Sequence, residues 1–318
     1  MKKESILYIV IPCYNEEAVL TETTKQLTEK IERMIKEKLV SEKTRIMFVD
    51  DGSKDGTWSL IKKLHKENKY VDGLKLARNR GHQNALLAGL MTAKKYADIV
   101  ISMDADLQDD IEALDSFVKE YEQGAEIVYG VRSSRKKDSF FKRNTAQFFY
   151  RMMKRFGVEI VYNHADYRLM SKRAVDELEK YKEVNLFLRG IIPLIGFKTS
   201  TVNYERKERF AGESKYPLKK MLGFALEGIL SFSVTPLRVI TVLGTIISVA
   251  SFIFLIYVII GHFTNNGNVA GWTTIIALVS FFGGFQILCI GLIGEYIGKI
   301  YSETKQRPRY SIEEELTK

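Results

Sequence analysis

Asp104 and Asp106 stand two residues apart, Gln108 lies two beyond, and all three follow the apolar run Ile99-Val100-Ile101. The apolar run reads as a buried strand. If strand geometry persists past it, residues two apart point to one side. The three side chains then offer oxygen donors alone, which suit Mg2+ or Mn2+ with phosphate completing the shell. The alternative reading is a solvated acidic turn in which Asp109 or Asp110 caps the next helix.

Other polar clusters recur at the same point of a repeating pattern. Ile6 to Ile11 is a continuous apolar run ending in Pro12-Cys13-Tyr14-Asn15-Glu16-Glu17, with Asn15 as N-cap of a helix to about Leu39. Arg45 to Val49 is a second strand, ending in Asp50-Asp51-Gly52-Ser53, then a helix to about Asn68. Leu74 to Ala77 is a third, followed by Arg78-Asn79-Arg80-Gly81 and a helix from about His82. Asp110 to Gln123 is the helix after the fourth strand, and Ile127 to Val131 is a fifth strand, followed by Arg132. Alternating β and α units predict a doubly wound α/β sheet. Ligands bind such sheets beyond the carboxyl ends of the strands, where all five clusters fall. No Gly-x-Gly-x-x-Gly or Gly-Lys-Thr/Ser loop stands there, which disfavours dinucleotide and P-loop chemistry.

Charge divides the chain. There are 48 Lys+Arg against 39 Asp+Glu, a net charge of +9, yet no Asp, Glu, Lys or Arg occurs from Val239 to Gly294. A basic part beside an uncharged apolar part suits an anionic membrane surface or phosphorylated substrates. Nucleic acid is not expected, because no helix-turn-helix, zinc-finger or RNA-recognition pattern supports it. Cys13 and Cys289 are the only cysteines, consistent with a reducing compartment. The N-terminal apolar run is too short for a signal peptide.

The apolar part reads as a membrane hairpin. From Pro217 to Arg238, Leu218, Met221, Leu222, Ala225, Leu226 and Ile229 recur at helical spacing, as in an interfacial helix, and Pro236 interrupts it. Val239 to Ile260 is long enough to span, at about 33 Å as a helix. Trp272 to Gly294 is a second span, with Trp272 as an interfacial aromatic. Lys219, Lys220 and Arg238 precede the first span, and Lys299, Lys305, Arg307 and Arg309 follow the second. The positive-inside rule places both termini in the cytoplasm. The expected division is a catalytic domain over 1–215, juxtamembrane helices over 216–237, spans over 238–261 and 272–297 around an external loop 262–271, and a cytoplasmic tail 298–318. Gly283, Gly284, Gly291, Gly294 and Gly298 would let the second span pack closely in a homo-oligomer.

The motifs Pro12 to Glu17, Asp50 to Thr57, Arg78-Asn79 with Gly81, and Asp104-Ala105-Asp106-Leu107-Gln108-Asp109 resemble those of family 2 glycosyltransferases of GT-A fold. Asn163 to Ser171, Asn185 to Gly190, and the Tyr204 to Tyr216 stretch carrying Arg206, Arg209, Gly212, Ser214 and Lys215 narrow the resemblance to the polyisoprenyl-phosphate glycosyltransferases. It implies a Rossmann-like, mostly parallel sheet flanked by helices, followed by the amphipathic helix and a two-helix transmembrane hairpin. It implies Asp106 and Gln108 as ligands of Mg2+ or Mn2+, with Asp104 toward the ion or the ribose. Asp50 and Asp51 would meet the base and ribose; Pro12, Tyr14 and Glu16 would line the same cleft; and Arg78 would sit near the diphosphate. Asp50 and Asp51 also suit an Asx turn. Arg132, Arg206, Arg209, Lys215, Ser214 and, less directly, Arg135 would draw in a lipid phosphate.

The family places Asp166 near the reacting sugar as the expected base. A lipid phosphate has a second pKa of about 6, so Asp166 has equal claim to orienting a group or pairing with Arg168. His82 and His164 read as structural, and His65 as exposed. The expected reaction moves one sugar, glucose or N-acetylhexosamine, from a UDP-sugar to undecaprenyl phosphate in a single inverting displacement, for cell-envelope glycan modification. A flippase and a downstream transferase are expected partners. Two spans and no Gln-x-x-Arg-Trp argue against a processive polymerase. GDP-mannose as donor, a non-catalytic subunit binding lipid-linked sugar, and a tethered enzyme with a soluble acceptor are the rivals.

Overall fold

The computed structural model describes residues 4–132, 164–205, 234–264 and 271–317. Strand β1 (Leu7–Cys13) is buried along its whole length, because a continuous apolar run can be covered on both faces. Alternate residues divide between two layers. Leu7, Ile9 and Ile11 meet helices α1 (Glu17–Lys36), α2 (Thr57–Glu67) and α4 (Leu114–Glu122). Tyr8 and Val10 meet α3 (His82–Ala93), α5 (Lys172–Leu178) and α6 (Leu188–Leu194). Each such side chain contributes roughly 1.5–3 kcal/mol on burial. At Gly89 of α3, an added Cβ would meet Val10 Cγ1 at 2.4 Å and Val49 Cγ2 at 2.7 Å, so α3 lies against the sheet more closely than any other residue type allows.

The remaining strands are β2 (Arg45–Asp50), β3 (Val71–Leu76), β4 (Ile99–Ser102), β5 (Ile127–Arg132), β6 (His164–Ser171), β7 (Thr199–Tyr204) and β8 (Ile312–Leu316). Their order in the single sheet is β7-β5-β6-β4-β1-β2-β3-β8. The pairs β1–β2, β1–β4, β2–β3 and β5–β7 are parallel. Successive βα units alone would seat β5 beside β4. Instead β6 takes that place, antiparallel to both. Its register sets Ser102 opposite Arg168, and two residues further on it carries Asp104 to Asp166. Residues 133–163 lie outside the described residues, and Asp166 is inside β6.

Asn15 is not the N-cap expected of it. Its φ is 56°, its Oδ1 accepts from Lys54 N at 2.8 Å, and α1 begins one residue after Glu16, with no side-chain cap. The loop needs Asn15 more than the helix does. Helices α7 (Thr235–Thr264) and α8 (Trp272–Thr304) have 30 and 33 residues. Each contains an apolar stretch long enough to cross a membrane. Pro236 sits in the first turn of α7, where its missing N–H is harmless. α8 runs on to Thr304, ends at Gln306 in the left-handed region with Pro308 beyond, and the chain then enters β8, antiparallel to β3. The segment over 206–233, with the interfacial helix expected there, lies outside the described residues.

Candidate active site

The carboxyl ends of β2, β3, β4 and β1 share one edge, and two groups of acids gather on it. At the end of β2, Asp51 accepts from Arg80 N at 2.7 Å and from Gly81 N at 2.9 Å, one bond to each carboxylate oxygen. Gly52, at φ 66°, allows the approach. A Cβ there would stand 2.6 Å from Asn79 N and 2.7 Å from Arg78 C, so only glycine brings the two loops together. Asp50 is fully buried. One of its oxygens accepts from Ser53 N at 3.2 Å, while Oδ2 is buried with no partner among the described residues. Burial raises the pKa of both acids, against the Ser53 donors at Asp50 and the Arg80 and Gly81 amides at Asp51. Tyr14, one residue past β1, is 41% exposed. Asn15 N donates to Ser53 Oγ at 2.9 Å and Glu16 N to Thr57 Oγ1 at 3.0 Å. Pro12 is buried in β1, beside Val49, and Arg78 is exposed.

Past β4 the ladder stops, yet side chains go on alternating. Met103, Ala105, Leu107 and Asp109 are buried, while Asp104, Asp106 and Gln108 are half-buried on the other side. The expectation of one shared side is met by a turn rather than by a continued strand. Gln108 N donates to Asp106 Oδ1 at 3.2 Å, and Leu107 adopts φ 55°. Asp110 caps the following 3-10 turn, its side chain accepting from Glu112 N, so the capping reading also holds, at a neighbouring residue.

His82, read from sequence as structural, opens α3 between two acids. Its Nε2 lies 3.9 Å from Asp104 Oδ1 and 3.7 Å from Asp166 Oδ2. Asp166 is gripped further by two arginines that the sequence reading left without a place in the site or only as an alternative. Arg168 Nη2 donates to Oδ1; Arg189, from α6, donates through Nε at 3.2 Å and Nη2 at 3.0 Å. Burial alone would raise the Asp166 pKa, but Arg189 and Arg168 override it and hold the carboxyl far below the usual carboxylate range. Asp166 is therefore ionised and weakly basic. The pairing with Arg168 that the sequence left open is present. Arg168 is 1% exposed, and burial depresses its pKa against the Asp166 charge. At Asp104, which keeps 40% of its side-chain surface open to the cleft, enclosure and the Asp166 and Asp106 charges raise the pKa, while His82 and Arg132 lower it.

Arg132 stands on this acidic wall. Its Nε donates to Tyr204 OH at 3.4 Å, and that hydroxyl donates to Asp109 Oδ1 at 2.6 Å. Burial and the Asp104 charge push Asp109 up to about 6. Arg206, Arg209, Lys215, Ser214, Gly212 and Arg135 lie outside the described residues. His65 is half-buried rather than exposed, with Nδ1 2.6 Å from Val71 O. Neither Arg189 nor the Asp109–Tyr204 link has a local signal, because partners from strands and helices far apart in sequence make them.

Among the described residues no three His, Cys, Asp or Glu side chains lie close enough to hold a metal ion by themselves. The donor set nevertheless fits a divalent ion. Asp106 is near enough to raise the Asp104 pKa, both side chains are half-buried, and Mg2+ commonly takes one or two carboxylates with phosphate and water completing its shell.

Residues 8–179 match the glycosyl transferase family 2 domain, and residues 235–300 the GtrB C-terminal hairpin. The chain belongs to glycosyl transferase family 2. It is 56% identical over 319 residues to an uncharacterised glycosyltransferase, YkoT, of Bacillus subtilis, covering 99% of this chain and 93% of that one. It is 39% identical over 311 residues to the bactoprenol glucosyl transferase of Shigella phage SfV, covering 98% and 99%. A glucosyl-3-phosphoglycerate synthase of Mycobacterium tuberculosis, solved with Mn2+, UDP and phosphoglyceric acid, aligns with a TM-score of 0.45 at 15% identity over 71% of this chain and 76% of that one. The sheet is mostly parallel and helix-flanked, and the chain is a glycosyltransferase with two candidate membrane helices.

Proposed function

We propose that this glycosyltransferase moves one sugar, glucose or an N-acetylhexosamine, from a UDP-sugar to undecaprenyl phosphate at the cytoplasmic face of the membrane. The observation that carries the reading is end-to-end likeness, hairpin included, to a bactoprenol glucosyl transferase. The nucleotide would lie along the β2 and β4 ends, with Asp50 and Asp51 beside base and ribose and Tyr14 available to stack on the base. Pro12, Glu16 and Arg78 would line the same cleft. Asp104, Asp106 and Gln108 would hold Mg2+ or Mn2+, which as a Lewis acid neutralises charge on the departing diphosphate.

Asp166 would not serve as a strong base. A carboxylate held ionised by Arg168 and Arg189, with two arginine bonds at Oδ1 and one at Oδ2, is suited to orienting a sugar hydroxyl through Oδ2, and a lipid phosphate largely ionised at neutral pH needs no stronger base. Arg132, Arg206, Arg209, Lys215 and Ser214 would receive the acceptor phosphate. Back-side attack would invert the anomeric centre and yield a β-linked lipid-phosphate sugar for cell-envelope modification.

Pairing of β8 with β3 supports a hairpin topology. Chain before α7 and chain after α8 join one sheet, which supports placing both on one side of the bilayer, and the basic residues flanking the spans support the cytoplasmic side. Homo-oligomerisation through the glycine-bearing face of α8, and hand-over to a flippase and a downstream transferase, complete the proposal.

The test uses purified full-length protein, Mg2+ or Mn2+, undecaprenyl phosphate and a panel of UDP- and GDP-sugars. Release of UDP dependent on both lipid and metal is expected. Turnover of GDP-mannose alone would replace the donor, and consumption of no nucleotide sugar would overturn the proposal.

A further inference from the structure

A cationic pocket lies where the last turn of α8 meets the start of α3. It is a pocket of about 280 Å³ between the start of α3, the loop at Val184 and the last turn of α8. Arg80 and Asn84 form one wall, Tyr301 and Lys305 another, and Arg307 and Arg309 close it. Four lining residues are cations, and no carboxylate lines it among the described residues. Glu303, on the same turn of α8, is engaged elsewhere, accepting from Val184 N at 2.8 Å, Asn185 N at 2.8 Å and Asn185 Nδ2 at 2.7 Å. Arg309 Nη1 donates to the carbonyls of Tyr181 and Glu183 at 3.2 and 3.5 Å, which fixes the guanidinium without neutralising it. Lys305 Nζ sits 4.1 Å from the centre of the Tyr301 ring.

Two buried atoms here lack a partner among the described residues: Arg80 Nε, a donor, and Asn84 Oδ1, an acceptor. Both residues are held in place, since Arg80 N donates to Asp51 and Asn84 Nδ2 donates to Arg80 O at 2.8 Å. A buried donor without an acceptor costs its desolvation. The pocket therefore asks for an anion rich in oxygen acceptors that also carries a hydroxyl. Arginine binds phosphate through paired donors and lysine as a point charge.

We propose that this pocket binds the phosphate headgroup of an anionic bilayer phospholipid such as phosphatidylglycerol. Its place at the end of a span argues for a lipid over a free anion. Ile297 and Ile300 are exposed on the turn of α8 that leads into it, so acyl chains lie along the helix while the phosphate reaches the four cations. The proposal rests on α8 being a membrane span and is independent of the sugar-transfer reading.

The test measures the thermal midpoint of full-length protein in detergent, with phosphatidylglycerol, phosphatidylcholine, undecaprenyl phosphate or inorganic phosphate added, and counts retained lipid by native mass spectrometry. Phosphatidylglycerol is expected to raise the midpoint by several degrees, phosphatidylcholine and inorganic phosphate to leave it nearly unchanged, and any gain with undecaprenyl phosphate, the proposed acceptor, to persist in the pocket variants. The Lys305→Gln/Arg307→Gln variant should lose more than half of that gain and one bound lipid, as should Arg80→Gln on its own. Lys36→Gln/Lys38→Gln, remote from the pocket, should keep both. Retention of the full gain in the pocket variants, or equal loss in the remote one, overturns the proposal. So does an equal gain with inorganic phosphate, which marks a free-anion site, or a gain with undecaprenyl phosphate alone, which marks an acceptor site. Sugar transfer is not read, so its failure leaves the result intact, and extraction only by detergent reports the span separately.

Discussion

Asp50 and Asp51 pair at the β2 end of the sheet, Asp104 and Asp166 at the β4–β6 end, and in each pair one is committed while its neighbour is available. Asp51 spends both oxygens on backbone amides of the next loop, whereas Asp50 keeps a buried oxygen without a partner among the described residues. Asp166 is enclosed by two arginines, whereas Asp104 faces the cleft with His82 at 3.9 Å. In the proposed reading the less engaged carboxylate of each pair, Asp50 or Asp104, would meet the ligand most directly. Sequence alone cannot assign those jobs, because the four residues are the same amino acid.

Removing a committed charge should have the largest effect. Asp166→Asn leaves Arg168 charged and almost fully buried, a loss of about 3–5 kcal/mol, visible as a large fall in thermal midpoint together with lost transfer. An unchanged midpoint would erase the distinction between the pairs. Asp106→Ala should act on turnover only. Losing a ligand to the ion costs several kcal/mol of transition-state stabilisation, about a thousandfold in kcat, with the midpoint hardly moved.

At the β2 end the contrast is smaller. Asp51→Asn should cost about 1–3 kcal/mol, because at least one backbone N–H loses its acceptor. Asp50→Asn should be nearly neutral in stability and raise KM for the nucleotide sugar. Equal stability losses would show that both acids are structural. A pH-dependent effect lies beneath the β4 end. Asp109 is held near 6, above the unfolded value of about 3.9. Between about pH 4 and 6 the unfolded chain gives up this proton before the folded one does. Wild-type stability should therefore fall through that window relative to Asp109→Asn, by up to about 3 kcal/mol, and the gap should stay flat above and below it. Melting curves of both proteins from pH 4 to 8 would check the sign.

Much of the sheet is legible from pattern. β1 to β5 are apolar runs punctuated by polar clusters, and their shared edge follows from the alternation with helices. β6 is not legible in that way, since a strand carrying Asp166 and Arg168 in its middle breaks the apolar rule to build the site. β8 is hidden by Glu313, Glu314 and Glu315, which suit a solvated edge and read as tail. The same limit holds for the site. Asp104 and Asp106 announce themselves by spacing, but their relation to Asp166 and His82 comes from an antiparallel register and a helix start more than sixty residues from one partner and about twenty from the other. Arg189 stands in a motif with no chemistry of its own until α6 lies against β6.

β8 also sets a distance. Residues 305–311 are all that separate the end of α8 from β8, and a fully extended chain of that length reaches at most about 25 Å. The catalytic edge is therefore on a short leash. The start of β8 cannot drift from the end of α8 by more than that reach, and if α8 spans a bilayer, lengthening 305–311 with a flexible insert would turn a fixed working height into a variable one.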